Sequence, residues 1–114
     1  MLVAFVALEH VGFLVLEMFL FKSPAGRRIF RTTPDYAAQA APLAANQGLY
    51  NGFLAAGLVW SLLAPEPMAD PLRLFFLGCV VVAAVFGAAT VSRRILVIQG
   101  VPALLALLAT FAAR

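Results

Sequence analysis

Four apolar stretches, at 1–21, 43–63, 71–91 and 94–113, take up most of this 114-residue chain. A helix rises ~1.5 Å per residue, so about 20 residues cross the ~30 Å hydrocarbon core of a bilayer. Each stretch is long enough to do so, and little is left for a soluble domain. Composition agrees: 64% of the residues are apolar and 11% charged, against roughly 45–50% and about 25% in ordinary globular chains. Mean hydropathy is +1.01. The expected fold is all-α: a single domain over residues 1–114, folded as an antiparallel four-helix bundle integral to the membrane. The expected location is the inner (plasma) membrane, multi-pass, with the lipid bilayer as solvent.

The first stretch has no basic leader and no small-residue cleavage site. It carries Glu9, His10 and Glu17 and so reads as a retained span, not a signal peptide. Cys79 is the only cysteine, which excludes an intrachain disulfide. It reads as a small packing residue of the third span.

The net charge of +3 serves orientation, and no nucleic-acid partner is expected. Lys22, Arg27, Arg28 and Arg31 follow the first span, and Arg93 and Arg94 follow the third. The opposite side has only Arg73 and Arg114, beside Glu66 and Asp70. Basic loops stay in the cytoplasm, which puts both termini on the non-cytoplasmic side. Ser23-Pro24 and Thr33-Pro34 each read as an N-cap followed by proline at the first helical position. A short interfacial helix is predicted over 34–41, with Pro42 starting or kinking the second span. Asp70-Pro71 is predicted to cap the third span, and residues 92–94 to form a tight turn between the last two.

The candidate site lies inside these spans. Asn, Gln and Tyr are costly in hydrocarbon unless each polar group finds a partner. Counted from the cytoplasmic ends, Glu17, Asn46, Gln47 and Gln99 share one level. Glu9 and His10 lie near the midplane, and Tyr50 and Asn51 fall between. His10 and Glu17 are seven residues apart and share a helix stripe; Gln47, Tyr50 and Asn51 are predicted to share another. Pro102 frees the Ile98 carbonyl beside Gln99. Gly48-x-x-x-Gly52 and Ala83-x-x-x-Gly87 are small-residue motifs that permit close helix approach.

Polar residues in spans also serve as glue between helices, which competes with a ligand-binding role for Asn46, Gln47 and Gln99. Three ionisable groups on one span are harder to explain that way, because an unpaired ion near the midplane is costly. Glu9, His10 and Glu17 are therefore the candidate acid/base residues, with Glu9 the better proton donor. Asn46, Gln47, Tyr50, Asn51 and Gln99 are the candidate ligand-binding residues. No phosphate loop, dinucleotide fingerprint, nucleophile elbow or zinc spacing occurs. No metal site is predicted. A haem or metal held through His10 stays open as a cofactor, without a specific signal for either.

Glu9-His10 and Glu17, Lys22…Pro24-x-Gly26, Asn46-Gln47-Gly48-x-Tyr50-Asn51-Gly52 and Gln99-Gly100-x-Pro102-Ala103 resemble a bacterial family of small integral membrane proteins catalogued as a domain of unknown function. The resemblance covers nearly the whole chain and implies a four-span fold. Small multidrug-resistance exporters have a similar length, four spans and a first-span Glu. The long basic first loop, the neighbouring His and the amide motif depart from them, so no functional residue is carried over.

Three functions compete. One is an intramembrane site for a small lipophilic or amphiphilic ligand, with acid–base chemistry open to it, in which fixed amides orient the molecule. Whether it is an enzyme stays undecided. The second is a proton- or cation-coupled transporter, which needs a homo-oligomer to enclose a path. The third is a non-catalytic accessory subunit of a membrane complex.

Overall fold

The computed structural model describes all 114 residues and is entirely helical, without strands. Five helices follow one another: α1 (Leu2–Met18), α2 (Pro24–Phe30), α3 (Pro34–Leu63), α4 (Ala69–Thr90) and α5 (Arg93–Ala112). The chain divides into two compact units, one of residues 1–9 and 54–114 and the other of residues 10–53.

In the first unit, α1, α3, α4 and α5 all contribute to one core. Val3, Val6 and Ala7 meet Leu58, Leu77, Val80, Ala103 and Ala106, with Leu54, Phe76, Val81 and Leu107 packed around them. Small residues set the close approach of α4 and α5: a Cβ on Gly100 would lie 3.2 Å from the Ala84 Cβ. Ala84, not the Ala83 of the small-residue motif, is the buried partner. The turn between the two helices is tight, as its sequence predicts, and Ser92 Oγ accepts from the Arg94 N–H at 3.2 Å.

Residues Leu96–Gly100 of α5 form a π-helical turn, in which the Val101 N–H reaches back to the Leu96 carbonyl. Pro102 lacks an N–H for the Ile98 carbonyl and its ring crowds that oxygen, so one wider turn just before it relieves the conflict. Asp70 does not cap α4. The helix starts one residue earlier, at Ala69, with no side-chain cap, and the Asp70 carboxylate pairs instead with the Arg114 guanidinium at 3.0 Å.

In the second unit both predicted caps are present. Ser23 Oγ accepts from the Gly26 N–H at 3.0 Å, and Thr33 Oγ1 from the Tyr36 N–H at 3.2 Å. Arg31 adopts a left-handed conformation (φ 57°) and ends α2. Gly26 is buried against the Leu20 and Phe21 carbonyls, where any Cβ would collide with backbone. The separate helix expected over 34–41 does not exist. Those residues are the first turns of α3, which runs unbroken through Pro42. The alanine-rich run around Pro42 favours helix strongly, and one proline removes one hydrogen bond without ending it. α1 stops at Met18, short of the expected end at Phe21.

Two helices, α4 and α5, are long and apolar enough to cross a membrane.

Candidate functional site

The second unit holds the polar pair at the centre of the candidate site. Asn51 Nδ2 on α3 donates to Glu17 Oε1 on α1 at 2.5 Å, across 34 residues of sequence. Asn51 is 8% exposed, and Glu17 is half-buried. The approach depends on glycine. A Cβ on Gly48 would lie 2.7 Å from Met18 Cγ, 3.0 Å from Glu17 Cβ and 3.2 Å from the Leu14 carbonyl oxygen. With hydrogen alone at positions 48 and 52, α3 comes close enough for a short asparagine to reach the carboxylate.

The other residues of the amide motif do not share this inward face. Asn46, Gln47 and Tyr50 are exposed, Tyr50 at 55%. The physical reason is angular. At about 100° per residue, Asn51 lies about 60° round the helix from Gly48, whereas Gln47 lies about 100° and Asn46 and Tyr50 about 160° away. The face that packs is set by the glycines, and only Asn51 falls beside it. The predicted stripe of Gln47, Tyr50 and Asn51 is therefore divided. Its outer part carries the Tyr50 and Phe53 rings edge to face, with centroids 5.5 Å apart.

His10 is fully buried and meets the Phe13 ring edge-on, at 5.1 Å between centroids. Glu9, in the first unit, is half-buried, and its Oε1 is shielded from solvent with no hydrogen-bond partner. Buried carboxylate oxygens are almost always satisfied, so this one is available to a donor. Gln99 lies in the π-helical turn of the first unit, half-buried beside the buried Gly100. π-turns are frequent at functional sites. No three His, Cys, Asp or Glu side chains converge as a metal site would require.

Chemically, a carboxylate held by one amide donor is fixed in orientation and keeps acceptor capacity on its other oxygen. Sequence reasoning names both residues as candidates, with Glu17 level with Asn46 and Gln47 and Asn51 further in, and misses a second polar group, at the start of α4 and the end of α5. There Arg73 and Arg114 count only as minority charges in the orientation argument, and Asp70 as one of the acids beside them and as a helix cap. Their falling on one side together with Glu66 was the signal available.

Comparison with known proteins places the chain among relatives that carry no assigned activity. It is 31% identical over 108 residues to the uncharacterised protein YpaA of Lactococcus lactis, covering 93% of this chain and 90% of that protein. No solved structure matches it. The model of one family, described as a protein of unknown function (DUF1304), matches residues 4–111, nearly the full length, and the chain belongs to that family.

Proposed function

We propose that this protein is a four-span membrane protein, with both termini on the non-cytoplasmic side, that binds a small lipophilic or amphiphilic molecule at the polar face of α1 and α3. The observation that carries the ligand reading is the Asn51–Glu17 hydrogen bond, part-buried near three outward-facing polar residues of α3. Asn46, Gln47 and Tyr50 face lipid in this reading, where an unsatisfied amide is costly. An amphiphile lying along α3 satisfies them while its apolar part stays in the bilayer. Glu17 offers an oriented carboxylate beside it, and Glu9 and His10 are the further candidates for acid–base work.

The membrane reading is supported by what α4 and α5 leave uncovered. Phe75, Val82, Val85, Phe86, Leu104 and Leu108 are all exposed large apolar residues, which water would penalise and lipid would not. Thirty residues of α3 are more than a span needs, and its first turns carry Asp35 and Tyr36 into the interface. The charge bias between loops supports the orientation.

The test is an absorbance spectrum and unbiased mass analysis of whatever co-purifies with the full chain in mild detergent. A single small molecule retained near one per chain is expected. A protein that retains nothing but drives proton-coupled flux in liposomes would replace this reading with the transporter. One whose deletion dissolves a larger membrane complex would replace it with the accessory subunit.

A further inference from the structure

A cleft of about 440 Å³ opens in the first unit between the loop before α4, the start of α4 and the end of α5. Its size falls in the range of roughly 300–1,000 Å³ typical of small-molecule sites. Four charged residues line it: Glu66, Asp70, Arg73 and Arg114. Two of them satisfy each other, since Arg114 Nε lies 3.0 Å from Asp70 Oδ2. Arg114 also stacks its guanidinium over Phe111, 5.7 Å from the ring centroid. That leaves one cation and one anion.

The remaining cation is unusually placed. Arg73 Nε is buried and has no hydrogen-bond partner. A guanidinium is never deprotonated, so the charge cannot be shed. Arg73 also sits near the N-terminus of a 22-residue helix, the end whose dipole favours anions and disfavours cations. A bound oxyanion would satisfy it, because the guanidinium fork donates to such oxygens in parallel. Arg73 and Arg114 are, moreover, the two cations outside the basic loops, and both line this cleft. Glu66, on the loop, supplies a carboxylate to the same space.

We propose that this cleft binds a zwitterionic phospho-amine group, with the Arg73 guanidinium on the phosphate oxygens and the Glu66 carboxylate on the ammonium. The Asp70–Arg114 pair forms a neutral wall that fixes the end of α5 against the start of α4. The group belongs either to a phospholipid headgroup or to a soluble phosphoethanolamine ester. This site is separate from the Asn51–Glu17 pair and does not rest on the ligand proposed there.

The experiment titrates the full chain in detergent with phosphatidylethanolamine, followed by native mass spectrometry, and with glycerophosphoethanolamine, followed by calorimetry. Binding of the lipid alone identifies a headgroup site; equal binding of both identifies a site for the soluble ester. In either case Arg73→Gln is expected to weaken binding at least tenfold. Arg73→Lys keeps the charge but not the fork, and weakens it less. Glu66→Gln removes the preference for phosphatidylethanolamine over phosphatidylglycerol. Arg94→Gln, in the first turn of α5, leaves binding unchanged. The proposal is overturned if neither probe binds, or if Arg73→Gln binds as the parent does. It is equally overturned if Arg73→Lys, folded by its melting curve, binds no better than Arg73→Gln.

Discussion

Replacing Asn51 with leucine removes the amide that Glu17 accepts from, and with it the cost of burying that amide. The two effects oppose each other, so net stability is expected to change by no more than about 1–2 kcal/mol. Glu17→Gln keeps an acceptor oxygen at the same place and is expected to be milder still. Because the two side chains touch, their effects are not additive, and a double-mutant cycle in detergent should return a coupling of about 0.5–2 kcal/mol. A coupling indistinguishable from zero would mean the hydrogen bond is not formed in the folded protein. This pair was legible only in part, since depth counting put Glu17 level with Asn46 and Gln47, and Asn51 between that level and the midplane. The outward facing of Gln47 and Tyr50 was not. Polar residues wrap so far round this part of α3 that their spacing alone does not say which face packs. Gly48 and Gly52 decide it, and glycine carries no hydrophobic signal to a periodicity argument.

Among the helices, close approach is the recurring device, and glycine substitutions test it. At Gly26 an added Cβ meets the carbonyls of Leu20 and Phe21, which cannot move without unmaking the turn between α1 and α2. Gly26→Ala is therefore expected to cost more than about 3 kcal/mol or to prevent folding, exceeding usual overpacking penalties of about 1–3 kcal/mol. At Gly48 the nearest obstacles are side-chain atoms, Met18 Cγ and Glu17 Cβ, with the Leu14 carbonyl further off. Gly48→Ala should fall within that range. Thermal unfolding in detergent ranks the two, and a Gly26→Ala protein as stable as Gly48→Ala would contradict the ranking. The helices themselves were legible from apolar runs, and the caps of α2 and α3 from Ser-Pro and Thr-Pro. The continuity of α3 through Pro42 was not, because proline signals a break while the surrounding alanines outweigh it. Pro102 was legible as a disturbance of the last helix, but not that a π-helical turn would accommodate the proline.

For the molecule as a whole, the charge bias predicts that single cysteines at positions 23 and 92, in a Cys79→Ser background, stay unlabelled by an impermeant thiol reagent in intact cells. They should react once the membrane is opened, and reaction without permeabilisation would reverse the orientation. The central claim is that the Asn51–Glu17 face of a membrane-embedded chain holds a small molecule. It is tested most directly by purifying the parent, Glu17→Gln and Asn51→Leu side by side in mild detergent and quantifying retained small molecules by mass analysis. The account predicts one species near one per chain in the parent, reduced at least tenfold in both variants while their melting curves stay close to the parent's. Equal retention by all three, or a parent that retains no molecule at all, would contradict it.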